Sequence, residues 1–395
     1  MQKKYNILPN TFCRIIICLF VLSSFFFNAC RRELKPRCKD CLILNASLDA
    51  KTLPMDRLFD KIEIIPIETT DNSLIKFYVY DYLNGKHYIL DPLQYILFIF
   101  DEKGNYLDRI DKRGQGPDEY TYIYDFTLNP EKGHIEILSP FRFIYCYDFS
   151  GNHLKTYDLN KSNMQAPGIR YMQILDDENY VLWSMAAEFQ DGISIISQET
   201  GELVNSFWRD QKIINTFVGS FYSYNHETYF SASLYNTVYK VTKEGVVEDY
   251  EWFFGDKTMD IRRHKISTGW ENITMDSENL AKKLTENDQL YECFRHFQNN
   301  KYYFLQLRFH LNTLKCLFYD KLTGESCFVE MPTTDSPLGY ILYFSDEYMV
   351  GQLKYDDKDK LIDSPLLDEA NRQKLLHYKA DDNPCLVRYY FKANE

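Results

Sequence analysis

One short device recurs along this chain and limits what it can fold into: an alternating apolar strand, a turn that ends in glycine, then a second strand. It is plain in the segment Tyr95–Ile110, which turns at Asp101-Glu-Lys-Gly104, and in Ile135–Leu159, which turns at Asp148-Phe-Ser-Gly151. Asp opens such a turn by accepting hydrogen bonds from the backbone just ahead of it, and Gly supplies the positive φ that closes it. The device returns at Gln198–Gly201, Thr242–Gly245 and Lys321–Gly324. Successive glycines step by 47, 50 and 44 residues, then by 79. A period near 45 with a strand–turn–strand core is the size of one four-stranded propeller blade. The chain carries 32 Tyr and 28 Phe, residues that favour pleated, half-buried surfaces.

Five hairpins and a terminal strand set at Tyr340–Lys354 give about six blades, with five or seven as neighbouring counts. Closing a ring needs chain from both ends. Lys61–Thr70 and Pro384–Lys392 both read as strands, so the two ends are expected to complete one blade. The competing architecture is a β-sandwich followed by a smaller domain. The persistence of the hairpin unit along the whole chain favours the propeller.

Two stretches break the β pattern. Between Gly255 and Asn300, Leu280, Leu284, Tyr291 and Phe294 fall at helical spacing, with Ser277 able to cap the start. A helical insertion is therefore expected over about 256–300, with a lid over a binding mouth as its functional reading. The second stretch is 364–378, where Ser364 is the expected N-cap, Pro365 the first helical residue, and Asp368 and Glu369 the acids of the first turn.

The N-terminus follows a different logic. Lys3, Lys4 and Arg14 are basic, no acid precedes Glu33, and an apolar run extends from Ile15 to Phe27. The run falls short of the roughly 20 residues that cross a bilayer. A basic start, a short apolar core and a small residue before a cut site form the secretory pattern. Ala29 is that small residue, and Cys30 follows, where a diacylglycerol thioether can form. The surrounding lipobox is loose, because Phe27 stands where Leu is usual and Asn28 is not small. A plain secretory signal and an uncleaved anchor are the competing readings. The expected organisation is a signal peptide over 1–29, a lipidated tether over 30–55 and a propeller over 56–395.

Cleavage before Cys30 leaves 42 Lys and Arg against 57 Asp and Glu, a net charge of −15. A nucleic-acid binder needs a basic footprint, so nucleic acid is excluded as a partner class. Seven cysteines remain beyond Cys30: Cys38, Cys41, Cys146, Cys293, Cys316, Cys327 and Cys385. An odd count in an oxidising compartment requires a free thiol or an intermolecular bond. Cys38-Lys-Asp-Cys41 has no second pair or histidine beside it, so a local disulfide or no bond is expected there rather than zinc.

The most distinctive local motif is Gly114-Gln115-Gly116-Pro117-Asp118-Glu119-Tyr120. Its glycines permit backbone conformations closed to other residues and its proline fixes φ, so it reads as a rigid turn between two blades. It lacks the Gly-Lys-Ser/Thr ending and following helix of a phosphate loop.

Taken together, Ile62–Thr70, Phe100–Gly104, Gly114–Tyr120 and the tail Asp382-Asn-Pro-Cys-Leu-Val387 resemble the six-bladed β-propeller lipoproteins of Gram-negative gut-type bacteria, a group akin to NHL-repeat propellers. The resemblance covers nearly all of residues 56–395. It departs from the family at Asp118, where Gly is usual after the proline. It implies six blades of four strands and strengthens the lipid-anchor reading of Cys30. In such bacteria an acidic stretch after the lipidated cysteine favours surface export. Here Arg31, Arg32 and Lys35 follow, so the expected location is the outer membrane facing the periplasm.

Function is less legible. The eight histidines are scattered, with no HxxxH spacing and no GxSxG elbow. No catalytic residue, metal ligand or cofactor is assigned. The expected role is a monomeric, membrane-tethered module whose loops bind a protein or glycan. The alternative is a metal-dependent hydrolase or lactonase-like propeller, with acids converging from several blades on the central channel. Such a site would leave no local motif.

Overall fold

The computed structural model describes residues 34–76, 78–116, 118–140, 143–159, 169–184, 192–207, 221–232, 235–259, 291–309, 313–331 and 341–393. Three strands come first: β1 (Leu42–Asn45), β2 (Thr52–Leu53) and β3 (Phe59–Ile65). Blade 1 then follows as β4 (Val79–Leu83), β5 (Lys86–Asp91), β6 (Ile96–Asp101) and β7 (Tyr106–Ile110). Blade 2 is β8 (Asp125–Asn129), β9 (His134–Leu138), β10 (Phe143–Asp148) and β11 (His153–Asp158). Blade 3 is β12 (Ile169–Ile174), β13 (Asn179–Ser184), β14 (Ile193–Ser197) and β15 (Leu203–Phe207). Blade 4 is β16 (Phe221–Tyr224), β17 (Glu227–Ser231), β18 (Thr237–Val241) and β19 (Val246–Phe253). Blade 5 is β20 (Tyr291–Gln298), β21 (Tyr302–Phe309), β22 (Thr313–Asp320) and β23 (Ser326–Val329). Blade 6 is β24 (Ile341–Phe344), β25 (Tyr348–Leu353) and β26 (Cys385–Phe391), completed by β3.

Each blade is an antiparallel meander. The first strands β4, β8, β12, β16, β20 and β24 each lie beside the first strand of the next blade, and β24 lies beside β4. They therefore surround a central axis, and the fold is a six-bladed β-propeller. The five glycine turns all join the third strand of a blade to its outermost strand. Blade 6 has no such turn because its outermost strand arrives from the other end of the chain. The last glycine step is long because residues 254–290 separate blade 4 from blade 5.

The turn chemistry varies from blade to blade. Gly104, Gly151, Gly201 and Gly324 hold positive φ, as a left-handed turn position requires. Asp101 Oδ1 accepts from the Lys103 and Asn105 amides, and Asp148 Oδ1 from Ser150 and Asn152. Asp320 serves the blade 5 turn, and Ser197, rather than Gln198, serves the blade 3 turn. Gly245 does not share the positive φ. There Thr242 Oγ1 accepts from the Glu244 and Gly245 amides.

Ring closure is antiparallel pairing of β3 with β26, from Ile65 opposite Leu386 to Phe59 opposite Phe391. Phe59 is fully buried, its ring 5.6 Å from Tyr389 and 5.2 Å from Phe391. Burying one such ring contributes roughly 1.5–3 kcal/mol. The outer edge of β3 would be an open template for another strand. It is covered by the segment Leu366–Leu367 and by a short helix, α2 (Glu369–His377), which follows another short helix, α1 (Asp359–Ile362). Asn371 Oδ1 accepts from the Ile64 amide at 2.9 Å and Lys374 Nζ donates to the Ile64 carbonyl at 2.7 Å.

The chain before β3 is also docked. Within the stretch read as a tether, β1 adds in parallel to the outside of β19 and β2 to the outside of β23. Residues 42–65 thus run along the perimeter of blades 4, 5 and 6 in turn. Cys38 and Cys41 form a disulfide just ahead of this strap, and among the described residues Cys146, Cys293, Cys316, Cys327 and Cys385 take no part in a disulfide.

Two helical expectations are corrected. Tyr291–Gln298 is the inner strand of blade 5, so the spacing of Tyr291 and Phe294 is not helical. Aromatic residues separated by three satisfy a helical count by chance, and the eight-residue partner β21 decides the matter. Ser277, Leu280 and Leu284 lie outside the described residues. The N-cap of α2 is Asp368, whose side chain accepts from the Asn371 amide, and not Ser364. Ser364 and Pro365 lie in the connection after α1. Among the described residues no helix is long and apolar enough to cross a membrane.

Candidate functional site

Among the described residues, polar groups gather at the axis and in a groove on one face. The axis is built by the six inner strands. Asp81 lies on β4 and Asp125 on β8, and burial pushes their carboxyls up to about 6 and about 7. Asp125 also feels the negative charge of Asp81 in blade 1 and the positive charge of Arg295 in blade 5. All three residues lie on inner strands, and blades 2 and 5 face each other across the ring, so these groups share the axis. Asp125 Oδ2 accepts from the Met172 amide of blade 3 at 2.8 Å, which ties it across a blade boundary. Carboxyls raised to this range can hold or release a proton near neutrality.

The groove lies at the hairpins joining first and second strands in blades 2, 3 and 4. It encloses about 440 Å³ and is lined by Asn129, Lys132, Gln173, Asp176, Tyr224 and His226 among others. Its floor is a hydrogen-bonded lattice centred on Gln198. The Gln198 side chain donates to the carbonyls of Asp176 (2.7 Å) and Asn179 (3.1 Å) and accepts from Asn129 (3.2 Å) and from Lys132 Nζ. Its own carbonyl accepts from Tyr157 and Lys155. A buried amide with both ends satisfied holds its neighbours rigidly.

One wall of the groove is strained. Asn225 and His226 sit at φ +50° and +60°, the two central positions of a tight hairpin turn. Blade 1 makes the same turn with Asn84 and Gly85, at +50° and +74°. Histidine at a glycine position costs on the order of 1 kcal/mol, and such strain concentrates at functional sites. Tyr224, the preceding residue, donates its hydroxyl to Asn300 Oδ1 at 2.9 Å, and Lys321 Nζ sits 4.5 Å from its ring centroid. The tyrosine is held from one side and borders the groove.

The residues singled out from sequence lie elsewhere. Gly114, Gln115 and Gly116 lie between β7 and β8, in the link from blade 1 to blade 2. The Tyr120 amide donates to the Lys112 carbonyl there (2.9 Å), and the Gly114 amide donates to the Tyr120 carbonyl (3.1 Å). Neither Gly114 nor Gly116 has positive φ. A Cβ on Gly114 would meet Glu119 Oε2 at 1.7 Å, so glycine here makes room for the carboxylate that accepts from the Gly116 amide. Cys30 and Pro117 lie outside the described residues. Sequence reading missed Asp81, Asp125 and the groove. Each is assembled from several blades, and the only local signal was His226 at a hairpin tip.

With this geometry in place, the chain can be set beside known proteins. The family model described as "Domain of unknown function (DUF4934)" matches residues 43–390, and the chain belongs to that family. No curated protein matches it. Among solved structures, a Bacteroides fragilis NCTC 9343 protein named as an exported protein superposes with a TM-score of 0.65 at 16% identity, covering 90% of this chain and 100% of that one. A member of the DUF4221 family from Bacteroides vulgatus ATCC 8482 superposes with a TM-score of 0.51 at 15% identity, covering 84% of this chain and 98% of that one. At these identities the likeness speaks to the fold.

Proposed function

We propose that this member of the DUF4934 family is an envelope-located propeller, anchored through Cys30, that binds a glycan in the groove of blades 2, 3 and 4. The observation that carries the reading is the groove itself. Its volume of about 440 Å³ is that of a small-ligand site. Amide, carboxylate and imidazole groups from Asn129, Gln173, Asp176 and His226 can pair with sugar hydroxyls, and the bordering ring of Tyr224 offers a stacking surface. The strained His226 turn and the pre-set Gln198 lattice lower the ordering cost of binding.

The envelope location is supported by the basic and apolar pattern of residues 1–29. It is also supported by the name of the Bacteroides fragilis structure, which describes an exported protein. Cys30→Ala is expected to abolish incorporation of labelled fatty acid into the protein and the cleavage before residue 30, and a Cys30→Ala protein fractionating and labelling like wild type would point to an uncleaved anchor. Wild-type-like processing of that variant would remove the lipid anchor from the reading.

Binding is tested by titrating the purified chain with polysaccharide fragments from the cells that carry it, by calorimetry. Tyr224→Ala is expected to weaken capture at least about tenfold while the protein stays folded. Equal affinity in wild type and variant would exclude this groove.

A second reading, a hydrolase acting at the axis, has one observation in its favour: the raised carboxyls of Asp81 and Asp125 beside Arg295. Turnover of ester or lactone substrates that disappears in Asp81→Asn, with glycan capture intact, would favour it.

A further inference from the structure

Strand β9 carries His134 and Glu136 two residues apart, so both side chains leave the same face of the sheet. The register sets Cys146 of β10 directly opposite Glu136. Alternation and pairing therefore bring imidazole, carboxylate and thiol onto one patch of blade 2. His134 Nδ1 is 3.7 Å from Glu136 Oε1, and one ligand atom from each of the three residues lies within 4.8 Å of the others. No other such trio of His, Cys, Asp or Glu is found among the described residues.

The patch is buried yet incompletely bonded. Glu136 and Cys146 have no exposed surface. Glu136 Oε2 and His134 Nδ1 have no hydrogen-bond partner. A buried polar atom left bare costs on the order of 1–3 kcal/mol, so two on neighbouring side chains ask for a common partner. The other carboxylate oxygen, Oε1, is already held by the Tyr180 hydroxyl of blade 3 at 2.5 Å and by Asn129 Nδ2 at 3.5 Å.

We infer that His134, Glu136 and Cys146 form a binding site for a divalent transition-metal ion of the zinc type, with a fourth position left for water. A nitrogen, oxygen and sulfur set on a tetrahedral ion places ligand atoms about 3.3–3.8 Å apart, so closing around the ion asks the side chains to shift by about 1 Å. Neutral imidazole with carboxylate and thiolate balances a dication, which lets the complex sit in a low-dielectric interior without net charge. Lys132 and Lys155, the nearby cations, are engaged with Gln198 and meet no net charge at the ion. One carboxylate and a soft thiolate do not suit calcium or magnesium, which need several oxygen ligands. Tyr180 and Asn129 supply the outer partners that orient a metal-binding carboxylate. On binding, the sulfur–metal bond forms as the thiol S–H breaks, and that proton passes to solvent.

The test uses the full chain, stripped with chelator and titrated with Co²⁺ and then Zn²⁺. Wild type is expected to show a sulfur-to-cobalt charge-transfer absorption at one equivalent, bleached by Zn²⁺, and a rise in melting temperature with Zn²⁺. Cys146→Ser, which keeps size and fold, is expected to lose the band and the stabilisation, although Cys293, Cys316, Cys327 and Cys385 remain. His134→Asn is expected to weaken binding at least about tenfold, and circular dichroism checks that each variant is folded. A folded wild type with no cobalt band overturns the site, as does a band of equal strength in Cys146→Ser. Zinc that stabilises wild type and Cys146→Ser alike would be binding elsewhere and also overturns it.

Discussion

Where blade 6 meets blade 5, Phe59, Phe304, Phe318, Tyr389 and Phe391 pack ring against ring, all buried and apolar but for one hydroxyl. Where blade 2 meets blade 3, apolar packing around Leu138, Ile144, Met172 and Leu182 shares the boundary with Glu136, Asn129, Gln198, Asp125 and Tyr180. The difference follows from what each boundary must do. Blade 6 is completed by strands from opposite ends of the chain, so nothing covalent keeps the ring shut. Backbone pairing of β3 with β26 and non-directional apolar burial together give that joint its strength. Blades 2 and 3 each take all four strands from one stretch of chain and can carry polar groups between them, whose hydrogen bonds set positions more than they add stability. Both the groove and the patch of His134, Glu136 and Cys146 lie on this second boundary.

The largest test of this contrast is Phe59→Ala. It empties a ring site shared by Phe318, Tyr389 and Phe391 and is expected to cost about 3–5 kcal/mol, read from urea unfolding. A loss below about 1 kcal/mol would mean that the apolar joint does not hold the ring.

Asp125→Asn probes the polar boundary. The folded protein holds the Asp125 proton up to about pH 7, whereas the unfolded chain releases it near 3.8. The native state therefore binds more protons between these values, and stability falls as pH rises through that window. Asn keeps an acceptor for the Met172 amide and does not ionise. The variant is expected to match wild type near pH 4 and to exceed it near pH 8 by on the order of 2 kcal/mol, with a flatter stability profile. A parallel pair of profiles in thermal unfolding across pH would show that the carboxyl is not held this way.

The smallest effect sets two turns against each other. Gly104 sits at φ +87° beside the closing segment, and a Cβ there would meet the Pro66 carbonyl oxygen at 2.1 Å. Gly245, in blade 4, has open space around it. Gly104→Ala is expected to cost about 2 kcal/mol, and Gly245→Ala to stay within about 0.5 kcal/mol, by the same unfolding measurement. Equal costs would separate the turn from ring closure.

Reading the chain unaided reached far into the fold and little into the site. The glycine turns are local, because Asp101 and Asp148 bond to amides two and four residues ahead, and that chemistry is written in consecutive letters. The helix at 369–377 was found, but its cap was misplaced. Ser364 and Asp368 both have the right chemistry, and only Asp368 has the Asn371 amide within reach. The strand at 291–298 was read as helix because three-residue spacing of aromatics does not reveal a partner strand. His134, Glu136 and Cys146 escaped notice for a related reason. Their spacing matches no helical or loop ligand motif, and Cys146 joins them only through strand register.

The sequence by itself determined the blade unit, its repeat and the use of both chain ends in one blade. These follow from alternation, turn residues and period, all of which act over a few neighbouring residues. Tertiary structure alone decided which side chains meet. It wrapped residues 42–65 around three blades, drew Asp81, Asp125 and Arg295 to one axis, and set Cys146 against Glu136. Such meetings depend on ring geometry and strand register, which arise only when distant segments pair and no longer compete with water for their hydrogen bonds.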